Sequence, residues 1–213
     1  MVEYEDFRRE YLAGGLTSEM LDQNPIAQFK LWLDQAVEGG VRDPTAMVLA
    51  TVSDDGSPWQ RIVLLKGVST EGFVFYSNYQ SAKARAMEAE PRVSVHFPWN
   101  QLDRQVIVAG KIEKISTAQS QRYFQSRPRE SQLAAWASLQ SQPIANRGVL
   151  EEQVEAIQDK FGAGDIPLPD FWGGYRVVPN RIEFWQGGAH RLHDRFVYQL
   201  LESGHWNIEQ LQP

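Results

Sequence analysis

Apolar residues recur along this chain in two rhythms. Between Asn24 and Gly40 they come at helical spacing, with Ile26, Phe29, Leu33, Ala36 and Val37 on one face. Asn24 and Pro25 suit the start of that helix, as cap and first-turn residue, and Gly39-Gly40 suits its end. From residue 45 the period shortens to two. The stretches "TAMVLATVS" and "PWQRIVLLKGV", on either side of "DDG", predict a hairpin. "GFVFYSN" predicts a further strand, and "SAKARAMEAEP" a short helix capped by Ser81 and stopped before Pro91. "RVSVHFPW" and "RQVIVAGKIEKIS" return to strand.

The middle of the chain is helical again. Ser116 or Thr117 can cap "AQSQRYFQSR", Pro128 interrupts, and "RESQLAAWAS" resumes. Asn146 caps a third segment in which Leu150, Val154, Ile157 and Phe161 form a stripe, and residues 162–174 form a loop rich in Pro and Gly. The C-terminal part predicts strands at "YRVVP", "RIEFWQ", "RFVYQLL" and "HWNIEQL", with "GGAH" and "ESG" as turns. The count is about eight strands. Short links favour antiparallel pairing, and runs such as "RIVLLK", apolar on both faces, favour a small closed or split barrel covered by helices. The predicted class is mainly β with helices, an α+β fold.

Composition narrows the chemistry. The 213 residues carry a net charge of −6, so an anion must be met by a local cluster of cations rather than by a general basic surface. There is no cysteine, which excludes disulfides, thiolate metal sites and thiol nucleophiles. Neither a signal peptide nor a membrane-length apolar run is present, and the expected location is the cytoplasm. No glycine-rich phosphate loop or G-x-S-x-G elbow occurs.

Four clusters carry candidate chemistry. Arg61 and Lys66 bound the apolar "RIVLLK"; five apart on a strand they face opposite ways, and each either reaches water or meets a bound anion. Tyr123, Arg127 and Ser131 are spaced i, i+4, i+8, which gives either a solvated helical face or a phenol, guanidinium and hydroxyl converging on a phosphate ester. Ser81 and Lys83 stand at a helix N-terminus, where backbone N–H groups favour anions. The fourth is "FWQGGAHRLHDRF", with His190, Arg191, His193 and Arg195 in six positions. A metal is disfavoured by the absence of a third ligand. In an extended segment Arg191, His193 and Arg195 share a face, as an exposed basic patch or around a planar polar ligand.

Taken in order, "RREY", "DPTAMVLATV", "QRIVLLK", "PRVSVHFPW", "RQVIVAGK", "YFQSRPRESQLAAWAS", "FWGGYRV" and "IEFWQGGAHRLHDRF" resemble the pyridoxine/pyridoxamine 5′-phosphate oxidases over nearly the whole chain. The resemblance implies an antiparallel FMN-binding split β-barrel covered by helices, spanning residues 21–213 and preceded by an N-terminal segment, 1–20, that covers the substrate. It implies a homodimer with FMN at the subunit interface. It also implies oxidation of pyridoxamine or pyridoxine 5′-phosphate to pyridoxal 5′-phosphate, with O2 as acceptor and H2O2 as by-product.

By resemblance, Arg61, Ile62, Val63, Leu64, Leu65, Lys66, Tyr76, Ser77, Lys83, Gln105, Gln140, Ser141, Trp185 and Arg195 contact the flavin. Arg8, Arg9, Glu10, Tyr11, Lys66, Tyr123, Arg127, Ser131, Arg191, Leu192 and His193 contact the substrate. Arg191 and His193 lie over the pyridine ring, where they would position the exocyclic amine or alcohol, and with Asp43 they are candidates for handling that group's proton. The position before Lys83, commonly Arg in such proteins, is Ala82 here, so one cationic contact to the FMN phosphate is missing. No metal is implied. The rivals are a flavin binder or reductase with another substrate and a carrier of the product; turnover with oxygen uptake separates both from an oxidase.

Overall fold

The computed structural model describes residues 4, 9–11 and 14–213. After a 3-10 turn at Ser18–Met20, helix α1 spans Pro25–Glu38. Strands β1 (Ala46–Val52), β2 (Pro58–Leu64), β3 (Gly67–Ser69) and β4 (Gly72–Asn78) follow, then α2 (Ala82–Ala89). Strands β5 (Arg92–Trp99) and β6 (Arg104–Lys114) lead to three helices, α3 (Thr117–Ser126), α4 (Arg129–Ala137) and α5 (Arg147–Phe161). Strands β7 (Trp172–Gln186), β8 (Asp194–Leu200) and β9 (Trp206–Leu211) close the chain.

Every strand pairing is antiparallel, in the order β2-β1-β5-β6-β7-β4-β3. Strand β7 makes this a split sheet. One side pairs with β6 along its length, and the other pairs with β4 through Trp172–Val177 and with β8 through Arg181–Gln186. The sheet curls back on itself, since the Lys66 N–H donates to the Val74 carbonyl at 2.8 Å and joins the end of β2 to β4.

The caps behave as the sequence predicts. Asn24 Oδ1 accepts from Ile26 N at 2.9 Å, Ser81 Oγ from Ala84 N at 3.3 Å, and Ser116 forms a capping box with Gln119. The core under the sheet is aromatic, with Phe29, Phe73, Phe97 and Trp99 in mutual ring contact. A second cluster around Phe124, Leu133, Ile166 and Trp172 joins the helices to the start of β7.

Several expectations are corrected. Trp32 is buried on α1, whereas Val37 is exposed. "YRVVP" and "RIEFWQ" are one 15-residue strand, β7, because its partner β6 runs unbroken past both and takes up the Pro179 region as a bulge at Ala109/Gly110. The loop before it therefore stops at 171. The α5 stripe is only partly covered: Ile157 and Phe161 pack on the second cluster, and no residue of α5 is fully buried. Strand β2 is not covered on both faces. It is an edge strand on which Trp59, Ile62 and Leu64 are 62%, 70% and 44% exposed. An apolar edge of that kind calls for a partner.

Candidate functional site

The cations singled out in the sequence fall into two groups at opposite ends of β7. The first lies around a cleft of about 280 Å³ at the start of that strand. Ile62, Val63, Leu64 and Lys66 form one wall as β2 ends. Tyr76, Ser77 and Asn78 come from β4, Lys83 from the first turn of α2, and Gln140 from the turn after α4. Tyr123, Arg127 and Trp172 form the remaining wall.

Lys83 is the centre of the polar part. Its Nζ donates to Gln140 Oε1 at 2.7 Å, to Ser77 Oγ at 3.1 Å and to Ser81 Oγ at 3.3 Å. All three partners are neutral. Burial, with the charge of nearby Arg61 added, pushes the ammonium down to about 8. Arg61 is in the same condition: its Nη1 bonds only to Leu49 O, Thr51 Oγ1 and Trp59 O, and burial lowers it too. Two neighbouring cations, with only neutral hydrogen-bond partners among the described residues, suit an anion. Ala82 precedes Lys83 at the exposed start of α2 and adds no charge.

Beside them, three rings stack in parallel. Tyr76 and Tyr123 are 3.9 Å apart between centroids, and Trp172 lies 5.5 Å from Tyr76. The Arg127 guanidinium sits over Trp172 at 4.8 Å. Its Nη1 is buried with no hydrogen-bond partner, and desolvation lowers the group from the ordinary arginine range. A buried guanidinium N–H is seldom left unpaired in a native protein unless a ligand fills the gap.

Pro128 explains the local geometry. It ends α3 at Ser126, leaves Arg127 extended as the C-cap with φ −76° and ψ 150°, and serves as N-cap of α4. The expected continuous face of Tyr123, Arg127 and Ser131 is therefore broken. The first two meet in the cleft, while Ser131 lies in the first turn of the next helix and does not line it. The expected opposition of Arg61 and Lys66 also changes, because β2 stops at Leu64 and Lys66 lies beyond the strand. Leu65 packs in the core. Ser141 is a turn residue with φ 73° beside Gln140.

The second group lies where β7 ends. Gln105, Trp185 and Arg195 form a row across β6, β7 and β8. The segment before β8 is not extended, contrary to expectation. Ala189–Arg191 is a 3-10 turn in which His190 and Arg191 have φ 54° and 65°, so Arg191, His193 and Arg195 do not alternate along a strand. The glycines of "GGAH" make this turn possible. A Cβ on Gly188 would stand 2.1 Å from the Leu192 carbonyl, and one on Gly187 would stand 2.8 Å from the Tyr11 ring.

His193 is held in one tautomer. The Gly188 N–H donates to its Nδ1 at 3.1 Å, so the proton of the neutral ring is on Nε2. Its ring lies 4.6 Å from Trp185 and 5.5 Å from Tyr11. The Arg191 guanidinium stands 5.5 Å from the centre of the Tyr11 ring. Glu10 accepts from the His190 N–H at 3.0 Å, and Arg9 pairs with buried Asp103 and with the Asn100 carbonyl at 3.1 Å. Glu10 and Tyr11 thus fasten their stretch onto the His190–His193 turn, and Arg9 fastens it onto the turn between β5 and β6; Arg8 lies outside the described residues. Leu192 is exposed. Asp43 belongs to neither group: it sits in the α1–β1 turn at φ 52°, exposed, 3.8 Å from Arg42.

Sequence reasoning missed Asp103, the acceptor for Arg9, and Glu183, the acceptor for Arg195. It also missed His96, whose Nε2 lies 2.9 Å from Gln105 Oε1. Glu183 carried a readable signal as the one acid inside the apolar run "IEFW". Asp103 carried none, because its left-handed φ of 54° follows a loop whose shape the sequence does not declare.

A family model described as pyridoxamine 5′-phosphate oxidase matches residues 33–161. The chain belongs to that family. Residues 172–213 match the model described as the pyridoxine 5′-phosphate oxidase C-terminal dimerisation region. A pyridoxine/pyridoxamine 5′-phosphate oxidase of Teredinibacter turnerae is 61% identical over 98% of this chain and 99% of its own length. The homologue of Pseudoalteromonas translucida is 54% identical over the same shares. Among solved structures, PhzG from Burkholderia lata, in complex with tetrahydrophenazine-1-carboxylic acid, superposes with a TM-score of 0.86 at 26% identity. That alignment covers 93% of this chain and 98% of PhzG. An FMN-binding protein from Nostoc punctiforme superposes with a TM-score of 0.70 at 17% identity, over 87% of this chain and 97% of its own, a likeness of fold. Among its described residues this family member has an antiparallel split sheet with five α-helices, as the sequence predicted. Among the described residues no helix is long and apolar enough to cross a membrane.

Proposed function

We propose that the chain oxidises pyridoxamine 5′-phosphate and pyridoxine 5′-phosphate to pyridoxal 5′-phosphate, using FMN and passing electrons to O2 with release of H2O2. The carrying observation is a cleft lined by Lys66, Lys83 and Arg127, in which Lys83, with Arg61 nearby, bonds to neutral partners and Arg127 leaves its Nη1 unpaired. A cofactor phosphate and a substrate phosphate answer one each. A flavin store needs only the first.

The residues present fit FMN. Arg61 and Lys83 would hold its phosphate, with Ser77 and Gln140 keeping Lys83 aimed, and Ile62, Val63, Leu64 and Tyr76 would line the rest; the structure gives Ser141 a turn position and Leu65 a core position instead of a cleft surface. When bound, FMN supplies the two-electron acceptor that takes hydride from the substrate's C4′ carbon and is reoxidised by dioxygen. Lys66, Tyr123 and Arg127 would grip the substrate phosphate, away from the reacting carbon, so that binding energy there orients the ring. Ser131 stands outside the cleft and is the weakest member of that set.

Arg191 and His193 would address the substrate's ring and its exocyclic amine or alcohol. The His193 tautomer makes Nε2–H a donor, which suits orienting the substrate oxygen or nitrogen better than taking its proton. Nothing around Asp43 supports a part in proton transfer. Arg9, Glu10 and Tyr11 would cover the substrate and exclude water. After dehydrogenation of the amine, hydrolysis gives the aldehyde and ammonia.

The two groups lie about 40 Å apart along β7, at roughly 3.3 Å for each residue between Trp172 and Trp185. One copy cannot bring both to one flavin. In a homodimer, Gln105, Trp185 and Arg195 of one copy would complete the cleft of the other, with FMN at the interface. The exposed apolar edge of β2 and the match of residues 172–213 support that assembly.

The direct test mixes the FMN-loaded protein anaerobically with pyridoxamine 5′-phosphate. The yellow absorbance should bleach and return when oxygen is admitted. Persistent colour with substrate in excess would reduce the protein to a flavin binder. Arg191→Ala should lower kcat about tenfold, the worth of one substrate hydrogen bond, while FMN affinity holds. Equal losses of turnover and flavin affinity would remove Arg191 from the substrate.

A further inference from the structure

Glu183 is an acid in a stretch of apolar and aromatic residues, and it is only 8% exposed. A carboxylate buried on a sheet must be fully partnered, and this one is. Its Oε1 accepts from Arg195 Nε at 2.9 Å and from Arg195 Nη2 at 2.8 Å. Its Oε2 accepts from Arg181 Nη2 at 3.1 Å. The register explains the pairing: Trp185 lies opposite Arg195 and Glu183 opposite Val197, so Glu183 is the diagonal neighbour of Arg195 on the sheet face. It stands one row behind Gln105, Trp185 and Arg195. The Gln212 carbonyl takes a third bond, from Arg195 Nη1 at 3.0 Å. Three of the five N–H donors of the guanidinium are thereby committed, and two remain.

We propose that Glu183 is a positioning residue. It locks Arg195 before any ligand arrives, so that the two remaining N–H groups meet the flavin edge that gains negative charge on reduction. This rests on the oxidase reading above, in which Arg195 meets FMN. An arginine without Glu183 has a long, partly exposed side chain and many rotamers, and the ring would have to organise it during reduction. A donor fixed beforehand stabilises developing charge without that reorganisation. The carboxylate also has an opposing effect, because its own charge offsets part of the Arg195 field felt by the flavin.

The two effects separate in two variants. Glu183→Gln keeps an acceptor at the same place and removes the charge, so Arg195 stays aimed with its field unopposed. Glu183→Leu removes both. The measurement is the midpoint potential of bound FMN, against reference dyes without oxygen. Glu183→Gln should raise it. Glu183→Leu should lower it, by about a tenfold change in the reduction equilibrium, ~30 mV for a two-electron couple. The Leu variant should also lose kcat with little change in substrate KM, since the phosphate grip lies at the other end of β7. Shifts of the same sign in both variants, or none in either, overturn the proposal. If the Leu variant does not retain flavin, Glu183→Gln decides alone: a rise supports the assignment, and a fall or no change overturns it. Wild-type protein that holds FMN yet is not reduced by pyridoxamine 5′-phosphate would sink the oxidase reading instead, and the potentials would still test Glu183.

Discussion

Arg127→Met should raise the KM for pyridoxamine 5′-phosphate by 100-fold or more, with kcat changed only a few-fold and FMN affinity unchanged. The guanidinium is desolvated against Trp172, and its Nη1 has no partner in the cleft. A hydrogen bond from a charged donor contributes roughly 1.5–3 kcal/mol, so two such bonds to a phosphate account for about 3 kcal/mol or more, which exceeds a hundredfold in affinity. Methionine keeps the length and the packing on the ring but neither the charge nor the donors. The substitution also removes a partly buried cation whose Nη1 has no hydrogen-bond partner, while keeping the packing on Trp172, so the ligand-free variant should melt no lower than the wild type. Steady-state kinetics with flavin in excess and a thermal melt check both parts. An unchanged KM would take Arg127 out of the phosphate grip, and a large drop in melting temperature would make it a structural cation.

The sequence made much of this cleft legible because its parts are local. Ser81 before an alanine-rich helix announces a cap, and Lys83 follows two residues later. "RIVLLK" announces a strand bounded by cations. Tyr123 and Arg127 come within a turn of each other, and Pro128 marks the break. The errors arise where long-range pairing decides. Period-two alternation cannot show that β6 carries "YRVVP" and "RIEFWQ" as one strand, nor that β2 lies at the edge of the sheet with Ile62 outward. Charge counting sees Arg191, His193 and Arg195 as one extended face. It cannot see that Gly188 lets the chain fold back on Leu192, which sets Arg191 in a left-handed turn and sends Arg195 to Glu183. Distance along β7 was equally hidden. Trp172 and Trp185 are thirteen residues apart, and only the observed unbroken strand shows that they belong to different ends of the molecule.

Lys83→Met should weaken FMN binding about 100-fold and remove its dependence on pH in the alkaline range. In the free protein the ammonium is held at about 8 by burial and by the charge of Arg61. An anion beside it favours the charged form and raises that value on binding. FMN therefore binds the protonated lysine. Affinity should be flat just below pH 8 and fall as pH rises above it, approaching tenfold per unit, with net proton uptake in that window. Below about pH 6 the phosphate itself takes up a proton and weakens the pair from the other side. The methionine side chain of the variant has no charge to lose, so its affinity should be low and level across the alkaline range. Ala82 contributes no charge, and Arg61 alone would remain. A single charged contact to phosphate of about 3 kcal/mol sets the size of the loss. Fluorescence titration of the ligand-free protein with FMN, from pH 6.5 to 9.5, gives both quantities without turnover. If wild-type affinity stays level through pH 8–9.5, or if the Lys83→Met variant keeps the alkaline fall, Lys83 is not the group that meets the phosphate.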